Sequence, residues 1–485
     1  MDNDDREPLS ASVLSALTGG PAFTRRDLLR SAAAVGVGAG VGLLLPGVAE
    51  AKSKFPIGAA KGSKSKPVSI TMWHSMTEAN LQTLQKLTAQ FQRSQKNVRV
   101  NLVGQNSYTD TLTAYTTALS AGTSKLPDVL QWETSLIQLL IDSQSVVPVG
   151  SAVAADHYSL GDYVPSMLNY FRVNGTLWAM PFNISSQVLY YDQNVLAKAG
   201  LDPTKPPTTL NALRSAAKKI VSSGAAKYGM SLKGAPATFE LFMSLGNKTV
   251  VNHSNGRKGR ATAVTFDDAL GRSIFSWWSG MLNDKLAQET APTGTGVYDN
   301  LLAIGSGIAP MTLDTSAALG TILSVLTQKQ YANVKLGVGP IPSPGSKPTK
   351  AGGVFIGGAG LYIVKKSAAH QDAAWQFIKF LTSPAQQATW AVGTGYVPVR
   401  KASLSNPTLS KAWKSVPGYR VPYQQLLSSP VNPACAGYVS GAANQIDTAI
   451  QNALAALSNG TPAKQALSQA ASAANSAIRS YNQRV

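Results

Sequence analysis

Residues 67–104, PVSITMWHSMTEANLQTLQKLTAQFQRSQKNVRVNLVG, decide the fold class. Val68, Ile70 and Met72 alternate with polar residues, the period of a strand with one buried face. From Thr77 to Gln92 the apolar positions Leu81, Leu84, Leu87 and Phe91 fall on one side of a 3.6-residue turn, which predicts an amphipathic helix. Val98–Val103 returns to a strand pattern. A second helix is expected from about Thr109 to Ser120, and a third strand over Val129–Trp132, entered through Leu126-Pro127-Asp128. Strands alternating with helices in this way need crossover connections, so the segment predicts a parallel sheet covered by helices.

The rhythm restarts after Pro181-Phe182-Asn183. Val188–Tyr191 reads as a strand, a short helix ends at Gly200, and Pro206-Pro207-Thr208 opens a helix from about Thr209 to Val221. Further strands are expected at Gly307–Leu313, Lys335–Gly339 and Gly360–Val364. Further helices are expected at Asp372–Leu381, Pro384–Val392, Asn444–Leu457 and Pro462–Tyr481. Two α/β lobes account for this pattern, and ligands of such sheets sit beyond the carboxyl ends of strands, here in the cleft between two lobes.

Upstream of the strand, Thr24-Arg25-Arg26-Asp27-Leu28-Leu29-Arg30 precedes an apolar run rich in Gly and Ala, then Ala49-Glu50-Ala51. A twin arginine, an apolar stretch and a small-x-small triplet make residues 1–51 an export signal of the twin-arginine type. Lys52–Lys66 holds five lysines among Gly, Ser and Pro and reads as a solvated basic linker, 52–66. The expected location is the periplasm or the extracytoplasmic cell surface.

The chain of 485 residues has a formal charge of +19. Its basic residues are scattered, without an arginine-rich helix or an aromatic-basic motif, so nucleic acid is not an expected partner. The single cysteine, Cys435, allows neither an internal disulfide nor a four-cysteine zinc site. The four histidines lie far apart, and there is no G-x-S-x-G elbow and no P-loop. No cofactor and no metal are expected. Paired carboxylates meeting in the fold keep an exported glycosidase open as the enzymatic alternative; a surface adhesion or scaffolding protein is the third class.

Several short stretches carry a resemblance. Trp73-His74-Ser75-Met76, Pro181-Phe182-Asn183 running into Val188-Leu189-Tyr190-Tyr191, Ala199-Gly200-Leu201-Asp202-Pro203 with Pro206-Pro207, Ile356-Gly357-Gly358-Ala359 and Thr394-Gly395-Tyr396-Val397-Pro398 occur in order. From about Pro67 to the C-terminus the chain resembles the extracytoplasmic solute-binding proteins of carbohydrate-type ABC importers, closest to the glycerol-3-phosphate-binding branch. The resemblance implies a two-lobed periplasmic-binding-protein fold of the maltose-binding-protein type (type II), with a hinge and an interlobe cleft. One lobe would hold 67–184 plus 358–398 and the other 185–357 plus 399–485, with crossings near Asn183–Ser186, Phe355–Gly358 and Val397–Arg400. It also implies a monomer that captures a polyol phosphate, phosphodiester or sugar without catalysis and hands it to permease subunits.

Site residues follow from the same resemblance. Tyr108, Ser185, Thr315, Gly358 (through its backbone N–H) and Tyr396 fall at solute-contacting positions. An acidic contact falls at Thr134, with Glu133 beside it as the available carboxylate; Asp314 flanks Thr315. Trp73 and His74 end the first strand at the cleft and either touch the solute or pack the lobe. A cleft tryptophan of the family is Leu210 here, and the phosphate-binding arginine is Asp447. A carboxylate there repels a phosphate dianion and suits a neutral sugar or a glycerophosphodiester with a cationic head, unless Asp447 only faces solvent at the start of the C-terminal helix.

Overall fold

The computed structural model describes residues 55–291, 298–326, 328–331, 333–345 and 349–485. The export signal expected at 1–51 lies outside them. The described strands are β1 Val68–His74, β2 Val98–Gly104, β3 Val129–Glu133, β4 Val146–Val147, β5 Arg172–Val173, β6 Thr176–Leu177, β7 Met180–Ser185, β8 Gln187–Asp192, β9 Met230–Lys233, β10 Ala287–Thr290, β11 Met311–Thr315, β12 Leu336–Gly339 and β13 Gly357–Val364.

The first sheet runs β2-β1-β3-β13-β4, with β7 also paired to β13. β1 is parallel to β2 and β3, as the opening segment predicts, with the helices Glu78–Ser94 and Tyr108–Ser120 as crossovers. The sheet is nonetheless mixed, because β13 lies antiparallel to β3, β4 and β7. β13 returns from the other lobe, so its direction is set by the crossing and not by a local β-α-β turn.

The second sheet runs β10-β9-β11-β8-β12, with β8 antiparallel to both neighbours. Helices Leu210–Ser222, Ala269–Asn283, Ala443–Ser458 and Ala463–Asn482 belong to this lobe. Trp278 is fully buried in its core, and Trp277 donates from Nε1 to the Leu210 carbonyl at 2.9 Å. Leu210 itself is 3% exposed. The leucine therefore fills the lobe interior, and its difference from the family tryptophan does not reshape the cleft wall.

Ser186 alone separates β7 from β8. Its N–H donates to Ser316 Oγ at 3.2 Å and its carbonyl accepts from the Ser316 N–H at 2.8 Å. This crossing is pinned to the second sheet at the residue where the chain leaves the first. The third crossing comes later than 398/399. Val164 N–H donates to Val399 O, Lys401 N–H to Asp162 O, and Ser403 Oγ to Pro384 O, so the chain stays with the first lobe through Ser403. It reaches the second lobe where Gln425 Nε2 donates to Gln187 O at 3.1 Å and Gln425 Oε1 accepts from Ile341 N–H at 2.7 Å.

The reading of 52–66 as a solvated linker is corrected over its described part. Phe55 and Ala60 are buried, and Ala60 N–H donates to Asp372 Oδ2 at 2.9 Å. The apolar contacts of Phe55 hold this part of the segment against the body, while Lys61, Lys64 and Lys66 stay exposed.

Gly358 sits in β13 at φ +100°, and a Cβ there would fall 1.9 Å from the Asn183 carbonyl oxygen. Gly358→Ala is expected to lose about 1–3 kcal/mol from backbone strain, plus the cost of separating β7 from β13. Thermal unfolding of the variant checks this; an unchanged melting temperature would contradict the pairing of these strands.

Candidate functional site

Two amides buried in the first lobe support one wall of the cleft. Ser75 N–H donates to Gln131 Oε1 at 2.8 Å, Gln131 Nε2 donates to Asn183 Oδ1 at 2.7 Å, and Asn183 Nδ2 donates to the Tyr108 hydroxyl at 2.9 Å. Gln131 and Asn183 are both fully buried. Tyr108 opens its helix behind the Ser107 cap, whose Oγ accepts from Asp110 N–H. Tyr396 follows the left-handed Gly395 cap and stacks on Trp390, which stacks in turn on Phe182. Its hydroxyl lies beside the Tyr108 hydroxyl and the Asn183 amide. Burial, then the neighbouring Tyr396, push the Tyr108 phenol well above its ordinary range, so it stays protonated.

Carboxylates from both lobes meet beside these tyrosines. Glu133 ends β3, next to Ala359 of β13, which also neighbours Asn183. It stands within the electrostatic field of Tyr108 on one side and Asp447 on the other. Among the described residues its carboxylate has no hydrogen-bond partner. Asp447, on the helix Ala443–Ser458 of the second lobe, accepts from the Tyr438 hydroxyl at 2.7 Å. Glu240, on the helix Pro236–Leu245, accepts from the Tyr438 N–H at 3.1 Å. Burial raises all three acids: Glu133 to about 7, Glu240 to about 8 and Asp447 to about 6. The charge of Asp447 raises the first two further. Asp447 therefore does not simply face solvent.

The lobes are also stitched along a seam. Arg257, buried, donates to the carbonyls of Tyr170 (2.7 Å) and Arg172 (2.9 Å) on one side and of Gly437 (2.9 Å) and Ala436 on the other. Its guanidinium lies over the Tyr170 ring, 5.0 Å from the centroid. Burial lowers it to about 10, still protonated at neutral pH. Asp142 of the first lobe accepts from both terminal nitrogens of Arg260 (2.9 and 2.7 Å) and from the Tyr481 hydroxyl (2.8 Å) of the second. Bidentate geometry makes this a directional, charge-assisted contact between the lobes.

The remaining sequence-derived residues divide. Ser185 lies on the face of β7 that carries Asn183, with its Oγ 3.1 Å from where a Gly357 Cβ would stand. Gly358 neighbours Ile184 across the strands. Thr134 is buried beside the Tyr170 hydroxyl, leaving Glu133 as the carboxylate at this end of β3. Asp314 does not join the cleft group: it pairs with Lys233 at 3.1 Å and accepts from Asn300 Nδ2 at 2.9 Å inside the second lobe. Thr315 caps the next turn, its Oγ1 accepting from Ala317 N–H. His74 is buried, kept neutral by burial, and its Nδ1 accepts from Met76 N–H at 3.2 Å, so it shapes the turn after β1. Trp73 is half-buried against the core on the opposite face of β1. Gln131, Glu240, Tyr438 and Arg257 escaped sequence reasoning; none stands in a motif, and only Asn183 lay in a quoted stretch. Among the described residues no group of three His, Cys, Asp or Glu is placed to hold a metal ion.

The raised acids carry a pH signature. The ordinary values are 4.5 for glutamate and 3.8 for aspartate, so between about 5 and 8 the folded chain binds more protons than the unfolded one. Stability from these groups is greatest at the acidic end of that window and falls as pH rises through it. Glu240→Gln and Asp447→Asn should flatten this fall in a melting-temperature series without solute; an unaltered profile would contradict their burial.

With the geometry described, similarity to known proteins can be placed on it. Residues 86–418 match the family model of bacterial extracellular solute-binding proteins. The sn-glycerol-3-phosphate-binding periplasmic protein UgpB of Pectobacterium atrosepticum is 26% identical over 427 residues, covering 85% of this chain and 92% of the relative. UgpB from Mycobacterium tuberculosis in complex with glycerophosphocholine superposes with a TM-score of 0.68 at 19% identity, covering 85% of this chain and 99% of that one. Maltose-bound MalE3 of T. maritima superposes with a TM-score of 0.64 at 24% identity over 84% and 99% of the two chains. The fold is thus the two-lobed, maltose-binding-protein-like one, and no described helix is long and apolar enough to cross a membrane. A family model spanning most of the folded body, on this fold, makes the chain a member of the bacterial extracellular solute-binding protein family.

Proposed function

We propose that this chain is the substrate-binding component of an ABC importer, taking a glycerophosphate, glycerophosphodiester or sugar into the interlobe cleft and delivering it to a membrane permease. The observation that carries this reading is the meeting of Tyr108 and Tyr396 from one lobe, Glu133 beside them, and Asp447 from the other lobe. Phenols donate to solute oxygens, while carboxylates accept from hydroxyls or face a cation. The solute draws the lobes together by contacts that are better made when they are closed. Ser185 and the Gly358 backbone complete the hinge side of the cleft in this reading, while Thr315 faces it from the second lobe. Residues 1–51 act as a twin-arginine export signal, and the mature chain works as a monomer without catalysis.

The acidic wall favours a sugar or a diester with a cationic head over glycerol-3-phosphate. Repulsion between Asp447 and a phosphomonoester dianion is the physical reason. The relatives named for glycerol-3-phosphate and the structure holding glycerophosphocholine bracket these choices.

A thermal-shift screen of glycerol-3-phosphate, glycerophosphocholine and mono- to trisaccharides tests the reading. One class should raise the melting temperature with no turnover; product formation, or no shift with any compound, would contradict it. Tyr396→Ala should weaken the tightest compound at least about tenfold, the worth of one charge-free hydrogen bond with its packing. Asp447→Arg should tighten glycerol-3-phosphate in calorimetry, and no gain with an intact fold would remove Asp447 from the solute's reach.

A further inference from the structure

The chain of amides behind the tyrosines has a direction. A backbone N–H can only donate, so Ser75 N–H fixes which end of the Gln131 amide faces it: Oε1, at 2.8 Å. Nε2 must then point at Asn183, where it meets Oδ1 at 2.7 Å. That fixes the second amide in turn, and Asn183 Nδ2 faces the Tyr108 hydroxyl oxygen at 2.9 Å. An amide NH₂ cannot accept. The Tyr108 proton is therefore unable to point back into the lobe. The Tyr396 hydroxyl lies beside this same amide and the Tyr108 hydroxyl. If one phenol donates to the other, a single hydroxyl proton still has only the cleft to point into.

We propose that Gln131 and Asn183 are positioning residues that make the Tyr108–Tyr396 pair an obligate hydrogen-bond donor, so that the solute must present an acceptor oxygen to this wall. Neither amide touches solute; both act through the phenols. Burial of both amides keeps water from reversing the chain, since a flipped amide would set N–H against N–H at Ser75. Ser75 is itself held, its Oγ bonded to Ser107 O at 3.1 Å and to Thr111 Oγ1 at 2.7 Å. The acceptor chemistry selected is a phosphate, carboxylate, ether or hydroxyl oxygen. With Glu133 beside the tyrosines and Asp447 on the other lobe, the cleft suits a molecule that carries acceptors together with donors or a cation. This specificity rests on the cleft being the solute site; the direction of the relay does not.

Two isosteric variants reverse the relay. In Asn183→Asp both carboxylate oxygens accept, one from Gln131 and one from Tyr108, so the phenol proton leaves the cleft. In Gln131→Glu the new oxygen faces Asn183, which must turn its NH₂ inward and show its oxygen to Tyr108. Each should weaken the tightest compound among glycerol-3-phosphate, glycerophosphocholine and maltose at least about tenfold. Wild-type affinity in a folded variant would overturn the proposal. A second reading needs no solute. In the ¹⁵N-labelled full chain, Tyr108→Phe should move an Asn183 side-chain amide proton upfield in the wild-type background, where that N–H loses its acceptor, and move it far less in the Gln131→Glu background, where the phenol bonds only the amide oxygen. Equal shifts in both would overturn the relay. If none of the three compounds binds the wild type, the functional reading fails for this panel and the resonances alone decide the relay.

Discussion

A hydrogen bond from one backbone N–H, at Ser75, to one buried amide, Gln131, governs the candidate site. Through Asn183 it joins β1, β3 and β7 to the helix that begins at Tyr108. Buried polar groups of this kind are costly when unpaired and specify a single arrangement when fully paired. Here they cannot be repacked independently, because Asn183 also lies on the strand that leads into the hinge. The same short piece of chain, Met180–Ser185, holds the tyrosine wall, pairs with β13 and launches the crossing to the second lobe. Site geometry and hinge position are thus one constraint.

Electrostatics impose a second condition. Asp447 raises the proton affinity both of Glu133 on the other lobe and of Glu240 on its own, so apposing the lobes concentrates negative charge in a poorly hydrated space. Something must offset it: protons, hydroxyl donors or a cationic group. Outside the cleft the cost is met by cross-lobe contacts, Arg260 with Asp142 and the carbonyl-saturated Arg257 along the seam. Among the described residues Arg257 has no carboxylate hydrogen-bonded to it, and all three of its guanidinium nitrogens donate to backbone carbonyls, which makes it a fastener of the seam and not a solute ligand.

Much of the fold was legible in the chain. The opening strand-helix-strand of residues 67–104 appears as β1 Val68–His74, Glu78–Ser94 and β2 Val98–Gly104, because strand and helix periods there are clean and unmixed. The late helices are legible for the same reason, the last one observed as Ala463–Asn482 against an expected Pro462–Tyr481. β7 was not, since Pro181 and Asn183 are poor strand formers and all six of its residues are buried, which erases the alternation. β9 and β10, four residues each, are too short to show a period. Among the candidate residues, Tyr396 and Glu133 stand out in the sequence through their surroundings. Asp314 was misleading because its partner Lys233 is 81 residues away. Gln131 and Glu240 carry no local signal at all: each sits singly inside an apolar stretch, and its role exists only once distant strands meet.

The central claim is that a solute lies between the tyrosine wall of the first lobe and the carboxylates that span both. A crystal structure of the chain with the compound that most raises its melting temperature tests this most directly. The account predicts a solute oxygen within hydrogen-bond distance of the Tyr108 or Tyr396 hydroxyl, with hydroxyls or a cationic head facing Glu133 and Asp447. A solute bound elsewhere, for instance in the surface pocket lined by Thr208, Ile341 and Gln425 on the second lobe, with the tyrosine wall empty, would contradict it.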